Sequence, residues 1–286
     1  MYNLFFVEYP YLVYITVGLF AAAIGSLLNV FIYRLPLMIY REWRTECRSF
    51  LKLPEEKEFV INLFFPRSFC PHCKNMVPIW HNIPLLSYCL LKGRCSHCQA
   101  TISWLYPLVE FFTIVLSLLA LYHFGISMKL AFALLFVWLS IVICFIDLQH
   151  QLIPDSLSIS LLWMGLLANT QELFSPLATV IFAAIVGYLM LWLLIKIYYL
   201  CTGKIGMGNG DFKLFAAYSA WFGWQQMPFI LLCSSLLGAI IGIIYLKSTR
   251  KSHATPLPFG PFLCFSGLVS LFYGPVITKW YITYCY

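Results

Sequence analysis

About eight apolar runs dominate the chain, and each run near twenty residues is long enough for a helix to cross a hydrocarbon core of ~30 Å. They lie at 11–33, 105–122, 130–146, 157–167, 177–200, 212–224, 229–246 and 259–280. With 62% hydrophobic and 10% charged residues over 286 positions, the chain is far too apolar for a soluble domain of this size. The expectation is an all-α polytopic membrane protein of about eight transmembrane helices, with the lipid bilayer as its solvent. The runs 157–167 and 212–224 are short, which calls for tilt, extension into neighbouring residues, or backbone lining a protein cavity.

The distribution of positive charge orients the spans. No Lys or Arg precedes Arg34 and the first residues offer only Glu8, so the N-terminus lacks the basic region of a cleaved signal and is placed outside. Alternating from there, Lys129 and Lys279 are the only two of the 18 Lys and Arg that fall outside, and both termini come to lie outside. The net charge of +7 thus reports topology and anionic lipid rather than nucleic acid. Three regions follow: 1–34, a tail and the first transmembrane helix; 35–103, the one long polar stretch, on the cytoplasmic side; and 104–286, a seven-helix membrane core.

Four of the eleven cysteines form two C-x-x-C pairs in the polar stretch, Cys70-Pro71-His72-Cys73 and Cys95-Ser96-His97-Cys98, separated by 21 residues. Two tight turns with two sulfurs each complete a tetrahedron, so Cys70, Cys73, Cys95 and Cys98 are candidate ligands of a structural zinc; the competing reading is reduced, unliganded thiols. His72 and His97 are substitutes that four thiolates do not need. Four ligands leave no open position, hence the metal folds the stretch rather than catalyses. The remaining cysteines show no pairing pattern and read as small apolar filler.

An acid beside lipid is costly and is a functional hypothesis by default. Asp211 ends the loop Gly206-Met207-Gly208-Asn209-Gly210, and Asp147 lies about 27 Å along its helix from Lys129, near the cytoplasmic end of the span. Two acids on different helices at one depth suit aspartyl proteolysis, in which a carboxylate pair shares a proton and titrates as a unit, giving a bell-shaped pH dependence. The competing reading has Asp211 capping the next helix and Asp147 paired with a nearby base. Asp155, after Pro154, is explained as a helix N-cap, and Glu110 in Tyr106-Pro107-Leu108-Val109-Glu110 has no partner that the sequence names. The glycine loop is not G-x-G-x-x-G and follows no strand, and neither H-E-x-x-H nor G-x-S-x-G is present, so phosphate-cradle, zincin and serine-hydrolase chemistry drop out.

With these acids in view, the chain resembles the type IV prepilin peptidases, of the GxGD class of intramembrane aspartyl proteases. The resemblance rests on Gly25-Ser26-Leu27-Leu28-Asn29-Val30-Phe31-Ile32-Tyr33-Arg34-Leu35-Pro36, the paired C-x-x-C turns, Asn82-Ile83-Pro84-Leu85-Leu86-Ser87, Tyr106 to Glu110, Asp147 with Pro154-Asp155, the glycine loop with Asp211, and Pro258-Phe259-Gly260-Pro261, all in family order. It implies that Asp147 and Asp211 are catalytic, that the four cysteines hold zinc, and that the substrates are prepilins and pseudopilins of a bacterial inner membrane. Their short basic leader is cut after a glycine at the cytoplasmic face. It further implies N-methylation of the newly exposed residue with S-adenosylmethionine, for which no cofactor motif is visible in 35–103. Leu28 stands where the family commonly has Phe, and Gln149 where it often has a second acid. Glu55, Glu56 and Glu58 read as a solvated acidic turn before they read as a site for a basic leader. Two other classes remain in play: a carrier using intramembrane acids as a relay, which would favour repeats and midplane sites, and a zinc-stabilised assembly factor without catalysis.

Overall fold

The structure, a computed structural model, describes residues 10–54, 62–78, 80, 83–204, 206–249 and 257–285. Glu55, Glu56, Glu58 and Asn82 lie outside the described residues. Among the described residues all regular structure is helical, apart from isolated bridges in the cysteine turns. The helices are α1 (Pro10–Phe50), α2 (Leu86–Leu90), α3 (Leu105–Phe124), α4 (Met128–His150), α5 (Asp155–Asn169), α6 (Leu177–Thr202), α7 (Asn209–Phe222), α8 (Met227–Thr249) and α9 (Gly260–Cys285). They fall into two compact units, Met1–Tyr122 and His123–Tyr286.

In the first unit, α1 is 41 residues long, about 60 Å at helical rise. That is twice the hydrocarbon thickness, so the helix runs on well beyond its apolar run. Its continuation past Arg34, through Pro36 to Phe50, takes in the first part of the polar stretch; residues 41–48 are rich in Arg and Glu, good helix formers that hydropathy does not register. α1 meets α3 where side chains are small. A Cβ on Gly25 would lie 2.9 Å from Glu110 Cα, so only glycine lets the two backbones approach this closely. One turn on, Asn29 Nδ2 donates to the Tyr106 carbonyl at 3.1 Å.

The second unit is organised around α7. It is 14 residues long and every residue from Asp211 to Phe222 is buried except Lys213. A helix with no polar face is one that protein surrounds, and α7 packs against α5, α6 and α9. Trp221 Nε1 donates to the Leu161 carbonyl at 2.8 Å, and the indole lies where a Cβ on Gly165 would stand. Asn169, fully buried, uses its whole amide: Nδ2 donates to the Ala220 and Trp221 carbonyls at 3.0 and 2.9 Å, and Oδ1 accepts from Phe174 and Ser175 N–H at 3.0 and 3.1 Å. That one side chain satisfies two orphan carbonyls at the end of α7 and fixes the turn after α5.

Among the described residues, six helices are long and apolar enough to cross a membrane: α1, α3, α4, α6, α8 and α9. The two remaining runs form α5, of 15 residues, and α7, of 14, both under the length of a straight span. Large apolar side chains stand exposed along α6 and α8, among them Phe182, Ile185, Leu189, Leu236, Ile240 and Ile244. A surface this apolar is the kind that lipid, not water, solvates.

Candidate functional site

Asp147 opens the last turn of α4, whose C-cap, Gln151, is left-handed (φ 52°) and turns the chain into 151–154. Its carboxylate is 5% exposed, and Oδ2 accepts the Gly260 backbone N–H at 3.0 Å. Gly260 is the first residue of α9, so this N–H is one of the donors that a helix start leaves unsatisfied, and the start of a helix favours negative charge. The fit is close: a Cβ on Gly260 would stand 2.6 Å from Asp147 Oδ2. In Pro258-Phe259-Gly260-Pro261 the sequence marks this role only by a glycine directly followed by a first-turn proline.

Asp211 sits in the first turn of α7, where Gly208 is the N-cap. Its backbone N–H donates to the Gly208 carbonyl at 3.3 Å, and Gly208 returns a backbone hydrogen bond to the carboxylate. Oδ1 is buried and has no hydrogen-bond partner. The Asp147 charge acts directly on Asp211, so helices α4 and α7 bring the two acids into one electrostatic neighbourhood. Ile153 packs on the glycine beside each acid: a Cβ on Gly210 would meet Ile153 Cβ at 2.8 Å, and a Cβ on Gly260 would meet Ile153 Cδ1 at 3.1 Å. None of Gly206, Gly208 and Gly210 takes a positive φ. A Cβ on Gly206 would stand 3.1 Å from the Tyr198 ring and one on Gly210 would meet Ile153, so these two are small because the protein itself packs on them.

Asp155 turns away from this pair. Its Oδ2 holds Lys213 Nζ at 2.6 Å, and its side chain is 59% exposed. The N-cap position expected for it belongs to Pro154, and Asp155 is the first helical residue, where an acid suits the dipole. Lys213, two residues after Asp211, was the partner the sequence did not reveal.

In the first unit, the four thiols Cys70, Cys73, Cys95 and Cys98 gather with all sulfurs within 4.8 Å of one another, and Cys70 and Cys98 are 3.8 Å apart. Thiolates at Zn–S distances of about 2.3 Å around a tetrahedron stand about 3.8 Å apart, so the cluster fits a structural metal such as zinc. Each turn repeats one backbone scheme. Lys74 N–H donates to Cys70 O at 2.8 Å and Gln99 N–H to Cys95 O at 3.0 Å, with φ of 58° and 59° at Lys74 and Gln99. Bridges Phe69–Met76 and Arg94–Thr101 close the two turns. The Cys98 and His97 backbone N–H groups bring the Cys95 thiol down to about 6. At Cys73 the Asn75 N–H pulls the same way, but burial and the Cys70, Cys98 and Cys95 sulfurs outweigh it and push the thiol up to about 11. Thiols this close ionise at one another's expense, and a divalent cation relieves the conflict.

A cavity of about 420 Å³ opens beside this cluster, still within the first unit, and Asn29, Tyr33, Arg34, Cys70, Cys95 and Glu110 contribute to its wall. Glu110 is 9% exposed and its Oε2 accepts the Leu85 N–H at 2.8 Å, the partner that sequence alone could not name.

Two family patterns match the chain: the bacterial peptidase A24 N-terminal domain over residues 19–124, and the type IV leader peptidase family over 134–243. Among curated relatives, a prepilin leader peptidase/N-methyltransferase of Legionella pneumophila is 54% identical over 285 residues, 99% of each chain. Proteins of the same name from Stutzerimonas stutzeri and Pseudomonas aeruginosa are each 46% identical over 262 residues, covering 91% of this chain and 91% and 90% of their own. No solved structure matches.

Proposed function

The chain belongs to the type IV leader peptidase family, and from that premise we propose that Asp147 and Asp211 are the carboxylate pair that cuts the leader from type IV prepilins and pseudopilins. The protein is a multi-pass inner-membrane enzyme, a prepilin peptidase and N-methyltransferase. What supports the catalytic pair is a single arrangement: two buried acids that feel one another's charge, one fixed by a helix-start N–H, the other with an oxygen left unbonded.

The two carboxylates share one proton. The ionised member takes a proton from a water as that water's oxygen attacks the scissile carbonyl carbon, while the protonated member gives its proton to the carbonyl oxygen. In the collapse of the resulting diol the C–N bond breaks with its electron pair going to nitrogen, the acid that received the water's proton protonates that nitrogen, and the other carboxylate takes a proton from a diol hydroxyl as the carbonyl reforms, so the pair again holds one proton. The Gly260 N–H holds Asp147 in place throughout, and the unbonded oxygen of Asp211 is the one free to engage water or substrate.

Zinc at Cys70, Cys73, Cys95 and Cys98 is structural and orders the polar stretch 35–103; it takes no part in hydrolysis. The placement of Lys and Arg supports a cytoplasmic position for that stretch, outside positions for both termini, and cleavage at the cytoplasmic face beside the membrane core 104–286. S-adenosylmethionine supplies a methyl group carried on a sulfonium. The chemistry it asks of a site is an anionic wall with aromatic surface, and the cavity in the first unit has both.

Prepilin cleavage in reconstituted membranes tests the pair. Asp147→Asn and Asp211→Asn each reduce the rate by at least about 10²-fold, the scale of one lost acid–base catalyst. Asp155→Asn stays within severalfold of the parent. Full activity in either of the first two, with normal expression, removes that residue from the mechanism and revives the carrier and assembly-factor readings.

A further inference from the structure

The first unit carries a built site that hydrolysis does not use. Its cavity, about 420 Å³, falls in the range that encloses a nucleoside-sized ligand. Two charges of opposite sign stand in its wall, and both are buried: Glu110 at 9% exposure and Arg34 at 5%. They do not neutralise one another. The Arg34 guanidinium is spent on backbone, donating to the carbonyls of Asn62, Leu63 and Pro66 at 2.9, 3.2 and 2.6 Å. Among the described residues, Glu110 receives only neutral donors, the Leu85 N–H at 2.8 Å and the Asn29 amide. A carboxylate kept from water without a cation is costly, so a wall of this kind is one that a cationic ligand completes.

The surroundings are arranged at a cost for that purpose. Leu85, which is not glycine, is held at φ 59° and ψ −48° so that its N–H reaches Glu110; backbone strain of this kind gathers at functional sites. Gly25 lets α1 close on α3 directly behind Glu110. Tyr33, Tyr88 and Tyr106 line the same space, giving faces on which a purine stacks and over which a sulfonium or ammonium sits favourably. Cys70 and Cys95 lie in the wall too, so the metal cluster shapes the cavity.

We infer that this cavity binds the methyl donor, S-adenosylmethionine, with Glu110 as the anionic anchor of its cationic part. The inference rests on the methyltransferase reading above and assigns that activity a place apart from the aspartate pair. Binding is measured on the full, metal-loaded chain in lipid nanodiscs by titrating S-adenosylhomocysteine and the charged analogue sinefungin calorimetrically, with prepilin cleavage read in parallel as the measure of fold. Glu110→Gln keeps the shape and the Leu85 hydrogen bond but removes the charge; sinefungin affinity falls at least about tenfold, as for a lost charged hydrogen bond, while cleavage persists. Val30→Trp, which fills the cavity without touching either charge, lowers affinity for both ligands by a similar factor. Unchanged affinity in both variants, in a protein that binds these ligands and methylates pilin, overturns the inference and leaves the methyltransferase reading intact. Loss of methylation with affinity unchanged also overturns it, by placing the pilin amine rather than the donor at Glu110. A parent protein that neither binds the ligands nor methylates refutes the underlying reading itself.

Discussion

Replacing Gly260 with alanine puts a methyl carbon 2.6 Å from Asp147 Oδ2 and 3.1 Å from its Cγ. A carbon and an oxygen in ordinary contact stand about 3.4 Å apart or more, so one of them has to move by nearly 1 Å. The backbone at Gly260 opens α9 and is held by its helix, so it is the carboxylate that swings away. In doing so it loses the 3.0 Å hydrogen bond from the Gly260 N–H, a bond to a charged group of the kind that contributes about 1.5–3 kcal/mol. At about 1.4 kcal/mol per factor of ten, that is a loss of roughly 10- to 150-fold in kcat/KM, in line with what a misplacement of about 1 Å costs a catalytic group. The assay is prepilin cleavage in nanodiscs, beside thermal unfolding of the same sample. The matched control is Gly18→Ala, where the added carbon meets Leu118 at an ordinary 3.8 Å and activity stays at the parent level. If Gly260→Ala cleaves within about threefold of the parent, the Gly260 N–H does not hold a working Asp147 and the geometry given for the pair is wrong.

Further outcomes follow from the same geometry. Gly210→Ala drives a methyl group to 2.8 Å from Ile153 Cβ and lowers cleavage, and removing that carbon with Ile153→Gly restores part of it; failure of that rescue would mean the glycine serves substrate rather than Ile153. Metal analysis of the reduced protein finds one zinc per chain, and a strong chelator lowers the unfolding temperature of the polar stretch. Acid does the same. Protons compete with the metal for the four thiolates, so metal release rises as pH is lowered, and Cys95→Ser, with one thiolate fewer, loses metal at higher pH than the parent. Equal release curves for parent and variant would count against Cys95 as a ligand.

The apolar runs located the membrane helices well, because in lipid hydropathy and span are nearly the same statement: runs 130–146 and 177–200 became Met128–His150 and Leu177–Thr202. The first helix was the exception. Its polar extension to Phe50 is stabilised by helix propensity, to which a hydropathy reading is blind. Asp147 and Asp211 were conspicuous because charge is rare in such surroundings, and the C-x-x-C pairs because their spacing is itself geometry. What holds these groups was hidden. The Gly260 N–H, the strained Leu85 N–H beneath Glu110 and the Lys213 ammonium on Asp155 are contacts between residues 113, 25 and 58 positions apart, and backbone donors have no side-chain identity to read. The glycine loop invited an account based on conformational freedom, whereas at Gly206 and Gly210 the limiting quantity is space against Tyr198 and Ile153.

The shortness of α7 also bears on how the enzyme is made. Fourteen residues, headed by a carboxylate and an ammonium group, are too few to partition into a bilayer unaided. Such a segment enters only when its neighbours have already built a proteinaceous slot for it, and the neighbours that line the slot include α9, which is synthesised after it. Asp211 is therefore brought to Asp147 only after α9 has been made, by tertiary folding rather than by insertion. In a chain interrupted before α9, the two acids proposed as the catalytic pair are not yet held together.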